Sequence, residues 1–119
     1  MHILAGYAQR RGSATHRSVL VLGPDAESVS ELETILGGAG YQTDRCHTAE
    51  VALAVLARGK HATLVARELE GQREAIAFAR QVLSSQEELS VILIADDLVP
   101  DAAIGALQTG VFDYMTKSF

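Results

Sequence analysis

The sequence predicts an α/β fold in which helices cover both faces of a parallel sheet. Two observations lead to this prediction: short apolar runs alternate with amphipathic stretches from residue 18 onward, and the runs are bounded by Gly, Pro and small polar residues. Hydrophobic residues make up 48% of the chain and Trp is absent, so the core is expected to be aliphatic. A chain of 119 residues is the size of one domain.

The first strand is predicted at residues 18–22, and Pro24 and Asp25 open the helix that follows it. The apolar stripe of this helix comprises Val29, Leu32, Ile35 and Leu36. The Gly-rich run 37–40 ends the helix, because glycine readily takes the left-handed conformation found at helix ends. Residues 41–46 then form a short, half-polar strand at an edge of the sheet.

The second helix begins after Thr48, which is suited to cap it. Its inward face is predicted to comprise Val51, Ala52, Val55 and Leu56. Residues 63–67 form the third strand, and residues 74–83 form the third helix. The apolar stripe of the third helix comprises Ile76, Ala79, Val82 and Leu83.

The last part of the chain contains two further strands around a short helix. Residues 91–95 are the clearest buried strand, because all five are apolar. A short helix at residues 100–108 ends before Gly110, and residues 113–117 form the fifth strand.

Charge and cysteine content exclude several classes of function. A formal net charge of −5 argues against nucleic-acid binding by this segment. Cys46 is the only cysteine, which suits a reducing cytoplasm. No apolar run approaches the ~20 residues of a membrane helix. The histidines His2, His16, His47 and His61 lack the spacing of metal ligands, so we expect no metal site.

Residues 1–17 are predicted to be a flexible leader that precedes one domain at residues 18–119. The leader carries Arg10, Arg11 and Arg17 but lacks the continuous apolar stretch of a secretory signal.

The run Gly110–Phe119, Gly-Val-Phe-Asp-Tyr-Met-Thr-Lys-Ser-Phe, resembles the segment that closes many response-regulator receiver domains of bacterial two-component and phosphorelay systems. The resemblance extends from residue 18 to Phe119. It implies a flavodoxin-like (CheY-like) doubly wound sheet of five parallel strands in the order 2-1-3-4-5. It also implies one more helix after Phe119, so we expect the chain to be a segment of a longer protein.

The same resemblance assigns the positions of the receiver's chemistry. Arg67 stands where the phosphoacceptor aspartate is expected, and Gly23 and Pro24 stand where two acidic residues hold Mg²⁺. Ala95 replaces a hydroxyl residue, whereas Lys117 is retained. We therefore expect no Mg²⁺ binding, no cofactor and no enzymatic activity.

Asp25 is either the N-cap of the first helix or a remaining metal ligand, and the sequence favours the cap. Arg67 and Lys117 would place two positive charges in the pocket where the resemblance expects the receiver's chemistry. Arg67 is therefore expected to pair with Asp25, Asp96 or Asp97. Asp96 and Asp97 fit equally well in a solvated loop, where ion pairs contribute ~0–1 kcal/mol.

The peptide bond between Lys117 and Ser118 is predicted to be trans. Receivers carry Lys-Pro at this place, typically in the cis form, and cis costs ~2.5–4 kcal/mol before a residue other than proline.

These expectations favour a cytoplasmic pseudo-receiver that regulates an attached transcription regulator or hybrid sensor kinase through protein contacts. The face expected to make these contacts, or to form a homodimer, lies on the fourth helix and fifth strand and comprises Ile104, Leu107, Val111 and Tyr114. One alternative is a receiver that is phosphorylated on a non-standard residue. Another is a flavodoxin-like module that binds a small ligand.

Overall fold

A computed structural model describes residues 18–67, 72–86, 88–95, 104, 108, 110, 111 and 113–116. The elements in chain order are β1 (Ser18–Leu22), α1 (Ala26–Gly38), β2 (Gln42–Cys46), α2 (Ala49–Leu56), β3 (Thr63–Arg67), α3 (Gln72–Ser85), β4 (Ser90–Ala95) and β5 (Asp113–Thr116). Ile104 and Gln108, within the fourth predicted helix, are helical. Each predicted strand is present, with bounds that differ by one residue at most.

The five strands form one parallel sheet in the order β2-β1-β3-β4-β5. This confirms the predicted fold class and strand order. All the strands therefore end at the same edge of the sheet, which we call the carboxyl edge. Ligands of such folds lie outside that edge, beside the loops that follow the strands.

Apolar side chains fill both faces of the sheet. Alternate residues of β1 illustrate this: Val19 and Val21 pack with α1, whereas Leu20 and Leu22 pack with α2 and α3. The four side chains are fully buried. Both faces of the central strands β1, β3 and β4 are covered, so residues on either face have apolar side chains. These strands are therefore continuous apolar runs and lack the polar alternation of a half-exposed strand.

Helix ends are fixed by side chains that the sequence indicated. Asp25 caps α1 by accepting a hydrogen bond from Ser28 N at 2.8 Å, and Thr48 caps α2 by accepting one from Val51 N at 3.2 Å. These contacts satisfy backbone donors that have no partner within the helix. After α1, Gly40 turns the chain with a φ of 96°, which only glycine adopts without strain.

Two predicted burial assignments are wrong. Val51 is 48% exposed, because the buried side of the short helix α2 is formed by Ala52 and Leu56, one turn apart. Val111 is 6% exposed and belongs to the cluster under α2 and α3, so it is core and not part of a contact face. It follows Gly110, whose φ of 101° turns the chain toward that cluster.

Within the described residues, no helix is long and apolar enough to cross a membrane.

Candidate functional site

The positions that the resemblance assigns to an acidic residue, the phosphoacceptor and a hydroxyl residue lie on neighbouring strand ends at the carboxyl edge. Leu22 of β1 lies beside Ala66 of β3, so the next residues along the two strands are Gly23 and Arg67. Arg67 in turn lies beside Ile94, one residue before Ala95 on β4. The sheet therefore brings Gly23, Arg67 and Ala95 together at this edge.

Gly23 is buried and is held by backbone and side-chain contacts to β2 and the residue after it. Its N–H donates to Cys46 O at 3.2 Å, and its carbonyl oxygen accepts a hydrogen bond from His47 Nδ1 at 3.1 Å. A Cβ added at this position would lie 2.8 Å from Cγ2 of Val29, a fully buried side chain of α1. The position therefore lacks a carboxylate and has no room for one unless Val29 moves.

Pro24 and Asp25 complete the loop after β1, and both are exposed. The pKa of Asp25 is lowered, chiefly by hydrogen bonding to Ser28 and to a smaller extent by the charge of Arg67. The prediction that Asp25 caps the helix is confirmed. Its Oδ1 oxygen thus accepts a backbone N–H at the start of α1, where an anion is also favoured by the helix dipole.

Arg67 extends from the end of β3 toward α1. Its side chain is 14% exposed, and Nη1 lies 3.7 Å from Oε2 of Glu31, whose own side chain is 55% exposed. At this separation the two side chains form an ion pair but no hydrogen bond. The Nη1 atom of Arg67 is buried and has no hydrogen-bond partner. Among the described acids, Arg67 forms an ion pair with Glu31, in the second turn of α1, and not with Asp25, which caps the helix. The other two expected partners, Asp96 and Asp97, lie outside the described residues.

The remaining predicted positions are described in part. Ala95 is half-buried against the cluster under α2 and α3, and Ile104 is 55% exposed. The positions that lie outside the described residues, or whose side chains do, are Leu107, Tyr114, Lys117 and Ser118. The predicted trans peptide after Lys117 is therefore not tested.

Three residues that shape the edge were not predicted to do so: Val29, Glu31 and His47. Val29 belongs to the apolar stripe of α1, which the sequence shows, but its approach to Gly23 depends on how closely the helix packs. Glu31 is an exposed acid in a helix, a common feature without a signal of its own. His47 directly follows β2, and this position at a strand end was the available clue.

The described side chains at this edge offer no site for a divalent cation. No group of three or more His, Cys, Asp or Glu residues among the described part of the chain is arranged to hold a metal. The edge instead carries a cation, Arg67, which forms an ion pair with an exposed glutamate and helps to lower the pKa of the N-cap carboxylate Asp25.

Comparison with solved structures identifies the fold of this chain. A response regulator from Thermotoga maritima superposes with a TM-score of 0.79 at 19% identity, covering 87% of each chain. The fold is that of a receiver domain. No protein-family model matches the sequence, and no curated protein matches it.

Two further solved structures share the receiver fold: one is an activated dimer and the other an atypical orphan response regulator. The beryllofluoride-activated NtrC4 receiver domain dimer has a TM-score of 0.78 at 22% identity, covering 87% of this chain and 85% of its own. An atypical orphan response regulator, described as revealing a phosphorylation-independent regulatory mechanism, has a TM-score of 0.75 at 17% identity. It matches 86% of this chain and 82% of its own.

Proposed function

We propose that this chain is a pseudo-receiver, a regulatory module of a signal-transduction protein that acts through protein contacts without being phosphorylated and without enzymatic activity. The observation that carries the proposal is Arg67 at the end of β3, with its guanidinium directed to Glu31.

Aspartyl phosphorylation needs a carboxylate that attacks the phosphoryl group and a Mg²⁺ ion that neutralises its charge. A guanidinium cannot make that attack, because it stays protonated and has no acceptor lone pair to offer. Gly23 and Pro24 provide no ligand oxygen from their side chains. Asp25 already accepts a hydrogen bond at the start of α1.

The comparisons support this proposal by analogy. The atypical orphan response regulator is described as regulated independently of phosphorylation, and the NtrC4 receiver is described as a dimer. For this chain we propose contacts through the fourth helix and fifth strand, where Ile104 is exposed, with an attached transcription regulator or sensor kinase as the regulated domain. Val111 is excluded from this contact face by its burial.

The proposal is tested with a small phosphodonor and Mg²⁺, followed by intact mass measurement. We expect no gain of one phosphoryl group. In parallel, beryllofluoride and Mg²⁺ should leave the amide resonances of Gly23, Asp25 and Arg67 unchanged, whereas the NtrC4 receiver serves as a control that beryllofluoride activates. A stoichiometric mass gain would overturn the proposal, and peptide mapping would then identify the non-standard acceptor.

The contact face is tested separately by self-association. Ile104→Asp should reduce any dimer that analytical ultracentrifugation detects, whereas Val51→Asp should not, because Val51 lies on α2 and is not part of the proposed face. The two residues have similar exposures, 55% and 48%, so they form a matched pair. A chain that stays monomeric at high concentration would exclude the homodimer and leave contacts with another domain.

A further inference from the structure

Helix α2 differs from α1 and α3 in the residues that it exposes. The other two helices expose mostly polar side chains, among them Glu27, Ser30, Glu31 and Thr34 on α1 and Arg80, Gln81 and Ser84 on α3. In α2, by contrast, seven of the eight residues are apolar and the single polar one is Glu50. A helix at the surface of a domain carries polar residues on its outer side, so α2 is more apolar than covering the sheet requires.

The outer side of α2 is a short apolar stripe. Ala52 and Leu56 are buried on the inner side, so the residues that point away from the sheet include Val51 and Ala54. Val51 is 48% exposed, Ala54 is exposed, and Val55 is half-buried beside them. Because residues three and four apart are neighbours on a helix, these three side chains form one surface. The small side chain of Ala54 leaves room for a larger apolar side chain from another helix.

Two cations without a counter-charge border this stripe. Arg58 and Lys60 follow α2, both are exposed, and neither forms an ion pair with a described residue. Arg45 and Arg67, in contrast, each form an ion pair with a glutamate of α1. Residues 57–62 contain no acid, so with neutral histidine this turn carries a formal charge of +2 in a chain of net charge −5. The apolar stripe therefore ends beside a local positive charge.

We propose that the outer side of α2 binds an amphipathic helix of a partner protein. Apolar residues of the partner would pack on Val51, Ala54 and Val55, and its acidic residues would pair with Arg58 and Lys60. Apolar anchors at helical spacing give affinity in such contacts, and complementary charges at the rim select the partner and its orientation.

Charge favours an acidic helix over other occupants. A nucleic acid or an anionic membrane extends over the whole domain and meets its net charge of −5. A short helix meets chiefly the turn at residues 57–62, because exposed charges more than ~8 Å away are screened at physiological ionic strength. The site contains no residue of the carboxyl edge or of the contact face that includes Ile104, so it depends neither on the loss of phosphorylation nor on self-association.

The test uses a synthetic peptide with Leu at every third or fourth position and Glu at the positions between, roughly 18 residues long so that it is helical on its own. The control peptide has Lys in place of each Glu. We expect the acidic peptide to shift the amide resonances of residues 51–58 until they saturate, and the Lys peptide to bind about tenfold more weakly or less. Equal binding of the two peptides, shifts confined to other residues, or no shift at millimolar peptide would overturn the proposal.

Variants of the chain identify the residues that bind. Arg58→Glu should weaken binding of the acidic peptide about tenfold or more and strengthen binding of the Lys peptide. Arg80→Glu is the matched control, because it makes the same change in net charge at an exposed cation of α3. It should have little effect on either peptide. Equal losses in the two variants would show a general attraction between charges and would contradict the proposal.

A further variant tests the apolar part of the site. Val51→Asp should also weaken binding of the acidic peptide about tenfold or more, while leaving intact any homodimer that forms through the face containing Ile104. Val51 and Arg58 are both exposed, so these variants should fold, which the dispersion of their amide resonances checks. If the resonances of residues 51–58 instead shift with protein concentration in the absence of peptide, a second copy of the chain occupies this side and the proposal is wrong.

Discussion

The interior of the sheet and its carboxyl edge differ in how much of the receiver pattern each retains. The interior has fully buried aliphatic residues such as Leu20, Leu64 and Ile92, and its strand order and superposition are those of receivers. At the edge, Gly23 and Arg67 occupy positions where the resemblance expects carboxylates. The fold depends on apolar burial, whereas the chemistry depends on a few polar side chains that contribute little to burial. A chain can therefore share the fold and differ in the polar side chains at the edge.

The largest effect should come from the interior. Leu64→Ala truncates a fully buried side chain of β3, the strand between β1 and β4, and should lower the free energy of unfolding by ~2–5 kcal/mol. Urea unfolding followed by circular dichroism measures this. Val51→Ala is the control, because Val51 is 48% exposed and its truncation should change stability by less than ~1 kcal/mol. Similar losses in both variants would mean that burial does not distinguish the interior from the surface.

A smaller loss is expected where the interior meets the edge. Gly23→Ala places a methyl group 2.8 Å from Val29 Cγ2 and should cost ~1–3 kcal/mol. In a Val29→Ala background the same change should cost clearly less, which a double-mutant cycle would detect.

Gly37→Ala provides the control for the Gly23 variant. Gly37 lies in α1 with nothing within 4 Å of an added Cβ, so the change should leave stability equal or raise it by ~0.4–1 kcal/mol. A stable Gly23→Ala variant without coupling to Val29 would show that the loop after β1 adapts freely.

At the edge itself, Arg67→Met should leave stability within ~1 kcal/mol of the unaltered chain or raise it. The change keeps the apolar stem and removes a buried Nη1 that has no hydrogen bond. Glu31→Gln should also have an effect of at most ~1 kcal/mol, because Glu31 is more than half exposed. A loss of 3–5 kcal/mol in Arg67→Met would identify a strong buried charge network instead.

The smallest effect concerns the pH dependence that Asp25 contributes. Its pKa is lowered in the folded chain, so its stabilising contribution is present above the unfolded pKa of ~3.9 and is lost as pH falls through the folded value. Asp25→Asn keeps a capping oxygen but cannot ionise. The two proteins should therefore differ more in urea midpoint at pH 6 than at pH 2. An equal difference at both pH values would show that the charge of Asp25 does not contribute to the stability that the cap provides.

The sequence predicts the interior well because strand and helix patterns are local. The run 91–95 is apolar throughout, and Asp25 and Thr48 are residue types that cap helices at those places. Val51 and Val111 were misassigned because a short helix and a glycine turn leave the direction of a side chain open. The contact between Arg67 and Glu31 was not predicted for a different reason: a long side chain reaches several acids, and the choice among them depends on how α1 packs on the sheet.

The contact between Gly23 and Val29 also bears on the mutational paths open to this chain. A single change that introduces an acid at position 23 forces its Cβ against a side chain fixed in the core. Making room first, by shortening Val29, leaves a cavity in the core and costs stability before any gain in chemistry. Either order passes through a less stable intermediate, and Arg67 would still have to change as well. Packing alone therefore disfavours an acidic residue at position 23, whatever this chain does in signalling.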